Sequence, residues 1–255
     1  MTDYLRYYLR EIFYSIFLMI PGHRSKNVNV ILAYHAVGKE TDGAIRQNQF
    51  ERQMKYLSDS YSVICLSDLT RDHLMSEQPT AVLTFDDGHR SHSEIVGPLL
   101  ETLGIKATFF VCPGLLNDQR STKDQGNEYM SSSQVKNLHA SGHEIGAHGM
   151  NHVSLQELSR KEARREVEES RDFLEELTGS RVDSFAYPYG HASDQVEDIV
   201  REAGFSRAVT TRETLLTSTD SSCFRLPRML ISNQLSYKGF KLRVSDKYPL
   251  IRRLK

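Results

Sequence analysis

Two histidines four residues apart, His148 and His152 in GHEIGAHGMNH, have a spacing that suits two imidazoles on one cation. One Asp added to that pair gives a His₂-carboxylate set. Such a set leaves coordination positions open for water and substrate, as a hydrolytic metal requires. Carboxylates stand ready in Thr84-Phe85-Asp86-Asp87-Gly88, where two adjacent Asp end an apolar run and meet a glycine turn. Neighbours along a strand point to opposite faces, but at a strand end the chain can turn and bring both to one site. A third stretch, Phe185-Ala186-Tyr187-Pro188-Tyr189-Gly190, combines a proline that fixes the chain with a glycine that permits a tight turn. A loop of this kind can offer a backbone N–H to a developing oxyanion. Each motif alone has a plainer reading: an Asp pair capping a loop, a histidine-rich loop without metal, a strand-to-helix turn. His143, at the start of the strand that leads to His148, reads as structural.

The elements that must hold these residues alternate. Strands are expected at 28–34, 62–66, 81–85, 107–111, 144–147, 184–187, 205–209 and 226–231, from short apolar runs bounded by turn residues. Helices are expected at 46–60, 131–141, 155–178 and 193–203, and over a stretch carrying Ile95, Leu99 and Leu103 that Gly104 stops. Strand–helix alternation argues for a parallel sheet with helices outside it. Seven or eight such units point to a closed (β/α) barrel. The polar residues of interest then fall at strand C-terminal ends: His35, Asp86-Asp87, His148, Tyr187 to Gly190 and Arg228. That face carries the chemistry in barrels of this type.

Composition narrows the class. The chain has 255 residues, with 32 Lys and Arg against 33 Asp and Glu, so its formal charge is −1. A nucleic-acid binder is usually far more basic, which argues against a nucleic-acid partner. Three scattered cysteines, Cys65, Cys112 and Cys223, have neither zinc-ribbon spacing nor the even count of a disulfide framework. The run Ile12 to Ile20 is too short to span a bilayer, which takes about 20 apolar residues. It reads either as an interfacial helix, with Arg6 and Arg10 on one face, or as a helix packed on its own domain, with an uncleaved signal anchor as the third reading. No small-residue cleavage site follows it. The expectation is therefore a cytoplasmic chain or one peripheral to the cytoplasmic membrane, touching it through residues 1–20. The organisation expected is an apolar N-terminal helix and linker (1–26), a catalytic unit (27–237) and a basic tail (238–255) whose Lys and Arg are solvated or face anionic lipid.

In order, TFDDG, GHEIGAHGMNH and FAYPYG resemble the polysaccharide deacetylases of carbohydrate esterase family 4. The resemblance covers roughly residues 28 to 231. ILAYHAVG and FERQMKYLSDSYSVICLSDL look like the bacterial exopolysaccharide and poly-N-acetylglucosamine deacetylase branch. The resemblance implies a distorted (β/α) barrel of about seven strands and removal of acetyl groups from an N-acetylated glycan. It implies a divalent metal, usually zinc, held by Asp87, His148 and His152, with Asp86 as general base. The Tyr189 N–H would stabilise the oxyanion.

Departures from the pattern matter as much. Many members carry Arg where this chain has Ala186, and that Arg orients the base; Arg228, in RLPR, is the candidate substitute. The late Leu-x-His motif that supplies the general acid has no match, since the last histidine is His191. His35, at the end of the first strand, is the candidate acid by position, with a metal contact or a structural role as its other readings; His191 is the weaker candidate. The Asp-x-x-Asp-Trp motif is missing too, as a chain without Trp requires. The missing acid motivates the competing reading, a catalytically inactive carbohydrate-binding relative. The variants that keep the metal are an O-acetyl esterase and a deacetylase of lipid-linked or nucleotide sugars, that is, of a glycan precursor.

Overall fold

A computed structural model describes residues 3–19, 28–38, 44–117, 129–217 and 223–252, and of residues 3–8 and 251 the backbone alone. Its centre is a parallel sheet. The strands are β1 (Val30–Tyr34), β2 (Ser62–Ile64), β3 (Thr80–Phe85), β4 (Thr108–Val111), β5 (Glu144–Ala147), β6 (Ser184–Ala186), β7 (Arg207–Val209) and β8 (Met229–Leu230). Their spatial order is β8-β1-β3-β4-β5-β6-β7. β2 shares an edge of β3 with β4, pairing with Thr80 to Val82, while β4 pairs with Thr84 and Phe85. One segment joins the two ends of this order: Leu226 bridges Val209 of β7, and Met229 and Leu230 pair with Leu32 and Ala33 of β1. The result is the distorted (β/α) barrel expected, with seven strands on its path.

Side-chain alternation sorts the strands into two cores. One set, Ile31, Val82, Phe110, Ala186, Val209 and Leu226, forms a small cluster inside the ring. The alternate set, including Leu32, Leu83, Phe85, Phe109, Ile145 and Phe185, packs outward in the large cluster with the helices. Gly146 belongs to the inner set because a Cβ there would sit 2.6 Å from the Phe110 ring. Continuing the inner set by one more two-residue step, just past the strand ends, gives His35, Asp86 and His148 at the C-terminal rim.

Helices α1 (Asp3–Met19), α2 (Gln47–Ser60), α3 (Arg71–Met75), α4 (Gly97–Leu103), α5 (Ser132–Ala140), α6 (Arg160–Thr178), α7 (Asp194–Glu202), α8 (Tyr237–Arg243) and α9 (Tyr248–Arg252) complete the chain. α6 shows why these segments are helical. Ser159 and Glu162 form a capping box at its start, Ala163, Val167, Ser170 and Leu174 make one buried stripe, and Gly179 ends it in a left-handed turn. The expected helices and strands are present with boundaries shifted by a few residues; α3, α8 and α9 were not anticipated.

Two expectations need correction. Residues 238–252 do not run off as a solvated basic tail: Phe240, Leu242 and Val244 are buried, Phe240 and Val244 in the large core itself. Lys and Arg between these positions masked a helix whose other face is apolar. Arg228 does not end a strand. It lies between the Leu226 bridge and β8, on the segment that closes the ring. Among the described residues, no helix is long and apolar enough to cross a membrane. α1 packs on α8: Tyr14 meets Gly239, and the Lys238 ammonium donates to Ser15 at 2.9 Å. Its other face leaves Leu9, Ile12, Ile16 and Met19 exposed. The Arg6 side chain of the interfacial reading lies outside the described residues.

Candidate active site

β3 delivers the carboxylates. The Asp86 N–H donates to Tyr34 O at 2.9 Å, so the residue after β3 stays zipped to β1 and lies next to His35. Asp86 continues the inward period and is 3% exposed. Asp87 then adopts φ 75°, a left-handed conformation that swings its carboxylate to the same rim. Among the described residues four non-glycines have positive φ, and three of them, Asp87, His152 and Tyr189, gather here. Backbone held in such sparsely populated regions costs on the order of 1–3 kcal/mol each and concentrates at functional sites.

β5 delivers His148, and the turn after it delivers His152. His148 Nδ1 lies 2.7 Å from Ala186 O. A carbonyl only accepts, so Nδ1 carries the proton and Nε2 presents a lone pair. That Nε2 is 3.5 Å from Asp87 Oδ1, and His152 Nε2 is 3.2 Å from the same oxygen. Asp87 Oδ1 is buried and accepts no hydrogen bond. One ligand atom from each of the three residues lies within 4.8 Å of the others. An orphaned carboxylate oxygen facing two imidazole nitrogens, one with its tautomer fixed from behind, fits a divalent cation.

The charge balance agrees. Burial pushes the Asp87 carboxyl up, but His148, His152 and His89 outweigh it and hold the group well below the ordinary carboxylate range. Burial acts downward on His148, yet Asp87 and Asp86 raise it above its usual value. The local potential therefore favours positive charge between these groups.

Asp86 has a different partner. Arg228, 1% exposed, donates through Nη1 to Asp86 Oδ1 at 2.7 Å and through Nη2 to Oδ2 at 2.8 Å. The same guanidinium reaches Thr84 Oγ1 and Thr210 O, each at 3.0 Å. Burial raises the Asp86 carboxyl; Arg228, aided by His148 and His35, outweighs burial and leaves it below the ordinary value. Asp86 is thus a fixed, ionised carboxylate beside the three-residue cluster.

The remaining candidates lie as follows. His35 is half-buried on the rim next to Asp86, and its carbonyl faces His92 Nε2 at 3.2 Å. Tyr189 sits on the turn after β6, its hydroxyl donating to His152 O at 3.3 Å and its ring 4.8 Å from that imidazole. His191 is exposed, with Nδ1 3.3 Å from Ser154 Oγ. His143 takes the Ala107 N–H on Nδ1 at 3.2 Å, and burial pushes it down to about 4, so it is a neutral acceptor inside the fold.

A profile of the family described as polysaccharide deacetylase matches residues 74–208. The chain belongs to the polysaccharide deacetylase family. It is a deacetylase enzyme. This deacetylase is 25% identical over 215 residues to YxkH of Bacillus subtilis, covering 82% of this chain and 74% of that one. It is 23% identical over 232 residues to the poly-β-1,6-N-acetyl-D-glucosamine N-deacetylase of Staphylococcus aureus, covering 85% and 79%. The solved structure of IcaB from Ammonifex degensii superposes with a TM-score of 0.75 at 24% identity, covering 87% of this chain and 97% of that one.

Sequence reasoning missed three participants. His89 Nε2 is 3.2 Å from Asp87 Oδ2, the carboxylate oxygen that faces away from His148 and His152. His92 opens a single π-helical turn, His92–Val96, a feature frequent at functional sites. Glu166 reaches the turn between His148 and His152 from α6. His89 follows TFDDG directly and was within reach of a motif reading; Glu166, amid the charges of α6, gave no signal.

Proposed function

We propose that this deacetylase removes N-acetyl groups from the amino sugars of a polysaccharide with a divalent metal, zinc by the nature of the donors, held by Asp87, His148 and His152. The observation that carries the reading is the meeting of those three residues within 4.8 Å beside a separately anchored carboxylate, Asp86. When bound, the ion supplies Lewis acidity toward the acyl oxygen and toward water. Asp86 is the base: it takes a proton from the attacking water, and Arg228 holds both its oxygens in place. The Tyr189 N–H stabilises charge on the acyl oxygen. His35 returns a proton to the leaving nitrogen as the amide C–N bond breaks. The products are acetate and a free amine.

Asp86→Asn is expected to abolish acetate release from N-acetylated oligosaccharides while metal stays bound, and His148→Ala to lose both. Undiminished release by either variant overturns the reading. Release from O-acetylated glycans alone assigns an esterase instead, and no release from any substrate leaves a carbohydrate-binding relative.

The chain also makes peripheral contact with a lipid surface through α1. Leu9, Ile12, Ile16 and Met19 recur at helical spacing on the face turned away from α8, the pattern of an interfacial helix. Sedimentation with anionic vesicles, lost on deletion of residues 1–20, is the expected result. Unchanged partition on deletion refutes it.

A further inference from the structure

The two histidines of the cluster are not carried by a helix. Residues 148 to 154 form an irregular turn in which Gly149 has φ +72° and His152 φ +54°. Nothing in the local backbone pattern fixes the separation of the two imidazoles, so a neighbour must. For the link between them, that neighbour is the Glu166 carboxylate on α6, alongside the bond His148 makes to Ala186 O and the bond His152 O accepts from Tyr189. Glu166 Oε2 accepts the Met150 N–H at 3.0 Å and the Asn151 N–H at 2.9 Å, and its Oε1 accepts from Asn151 Nδ2 at 2.6 Å. On the other side the Gly114 N–H donates to Met150 O at 2.8 Å. One carboxylate thus takes three donors from the three-residue link between His148 and His152. The Gly149 position has a Cβ site 3.7 Å from Glu166 Oε2, so the turn lies directly against the acid.

We propose that Glu166 is a positioning residue for the metal ligands, holding the 149–151 turn so that His148 and His152 aim at the oxygen of Asp87. The inference rests on the metal reading of the site. Ligand imidazoles must keep their orientation to bind tightly, and outer groups that orient ligands typically contribute about 10- to 100-fold to metal affinity. Glu166 does this through the backbone of the turn rather than through a ring nitrogen. Two of its three bonds go to main-chain N–H groups that would otherwise lie without an internal partner.

Titration of the metal-free full chain with Co²⁺, followed by its visible absorption and by chelator competition, tests this. Glu166→Ala is expected to lower Co²⁺ affinity about 10- to 100-fold and to change the absorption bands, which report ligand geometry. Glu166→Gln keeps an acceptor for the two backbone donors and can meet Asn151 with its amide flipped, so it should stay within a few-fold of the parent. Asn151→Asp sets a second carboxylate against Glu166 and should weaken binding; adding Glu166→Gln to it should restore binding. Should Glu166→Ala fail to fold, the Asn151→Asp pair of variants carries the test. Unchanged affinity and spectrum in Glu166→Ala, or no rescue of Asn151→Asp, overturns the proposal. A parent protein whose Co²⁺ uptake is the same as that of His148→Ala overturns the metal reading beneath it, which is a separate failure.

Discussion

Replacing Arg228 by Met keeps the aliphatic stem and deletes the guanidinium, and the structure sets the scale of the damage. Arg228 is 1% exposed and Asp86 3%, so the pair is out of water. The variant loses both charge-assisted bonds to Asp86 and the contacts to Thr84 and Thr210. Removing one member of a buried pair leaves an uncompensated charge and costs about 3–5 kcal/mol. The pH dependence gives a sharper signature. In the parent, the folded-state value of Asp86 lies below its unfolded value of about 3.9. Its stabilisation is therefore fully present above about pH 4 and is lost as pH falls through the folded value. Without Arg228 the largest influence left is burial, which acts upward. The folded value then rises above the unfolded one, and the sign inverts: the penalty is present at high pH and is relieved as pH falls. Each unit of displacement corresponds to about 1.4 kcal/mol. Urea unfolding of both proteins in chelator, from about pH 4.5 to 7.5, should give a stability difference that shrinks steadily toward acid. Asp86→Asn added to Arg228→Met should recover more than about 1 kcal/mol relative to additive losses, because the two side chains touch. A loss below about 1 kcal/mol, or a difference that does not depend on pH, would refute the buried-pair argument.

Three further outcomes are expected. Phe240→Ala should destabilise by about 3–5 kcal/mol in denaturant unfolding, because the ring is fully buried in the large core; a change under about 0.5 kcal/mol would return residues 238–252 to the status of a tail. A thiol reagent should modify one cysteine, the exposed Cys223, in the native protein and three after unfolding, since burial pushes Cys65 up to about 12 and Cys112 well above the ordinary thiol range; fast reaction of two or three native thiols would contradict the packing of the inner strands. Ile12→Ser should change stability by less than about 0.5 kcal/mol yet reduce sedimentation with anionic vesicles, because that side chain is 46% exposed; equal sedimentation would remove the lipid role of α1.

What was readable in the sequence follows the range of the interactions that fix it. The strands leading to His35, Asp86 and His148 are legible because alternation is local: Val82, Thr84 and Asp86 differ by two residues, and so do Glu144, Gly146 and His148. α6 is legible because its capping residues and its glycine stop are neighbours in the chain. α8 was lost for the opposite reason. Lys238, Lys241 and Arg243 dominate its composition, while Phe240 and Leu242, with Val244 just past its end, do the packing. Nothing within those seven residues says that α1, more than two hundred positions earlier, lies against them.

The site divides along the same line. Its acceptors come from contiguous motifs and could be named from spacing, whereas the groups that hold them come from afar: Arg228 is 142 residues from Asp86 and Glu166 is 16 from Met150. Arg228 was reachable only through an argument about absence, that a family Arg replaced by Ala186 leaves a base needing a new anchor. The geometry makes that exchange intelligible. Ala186 is inward-facing on β6, in the same inner cluster as Phe110, and the Arg228 guanidinium lies 5.6 Å from the Phe110 ring. A small residue on β6 leaves room at the rim, and the segment that closes the ring sends a guanidinium to Asp86. Anchoring Asp86 from Arg228 therefore links the site to barrel closure: the chain that carries the partner of Asp86 also ties β7 to β1. Disturbing that closure at Leu226 or Met229 should for this reason disturb Asp86.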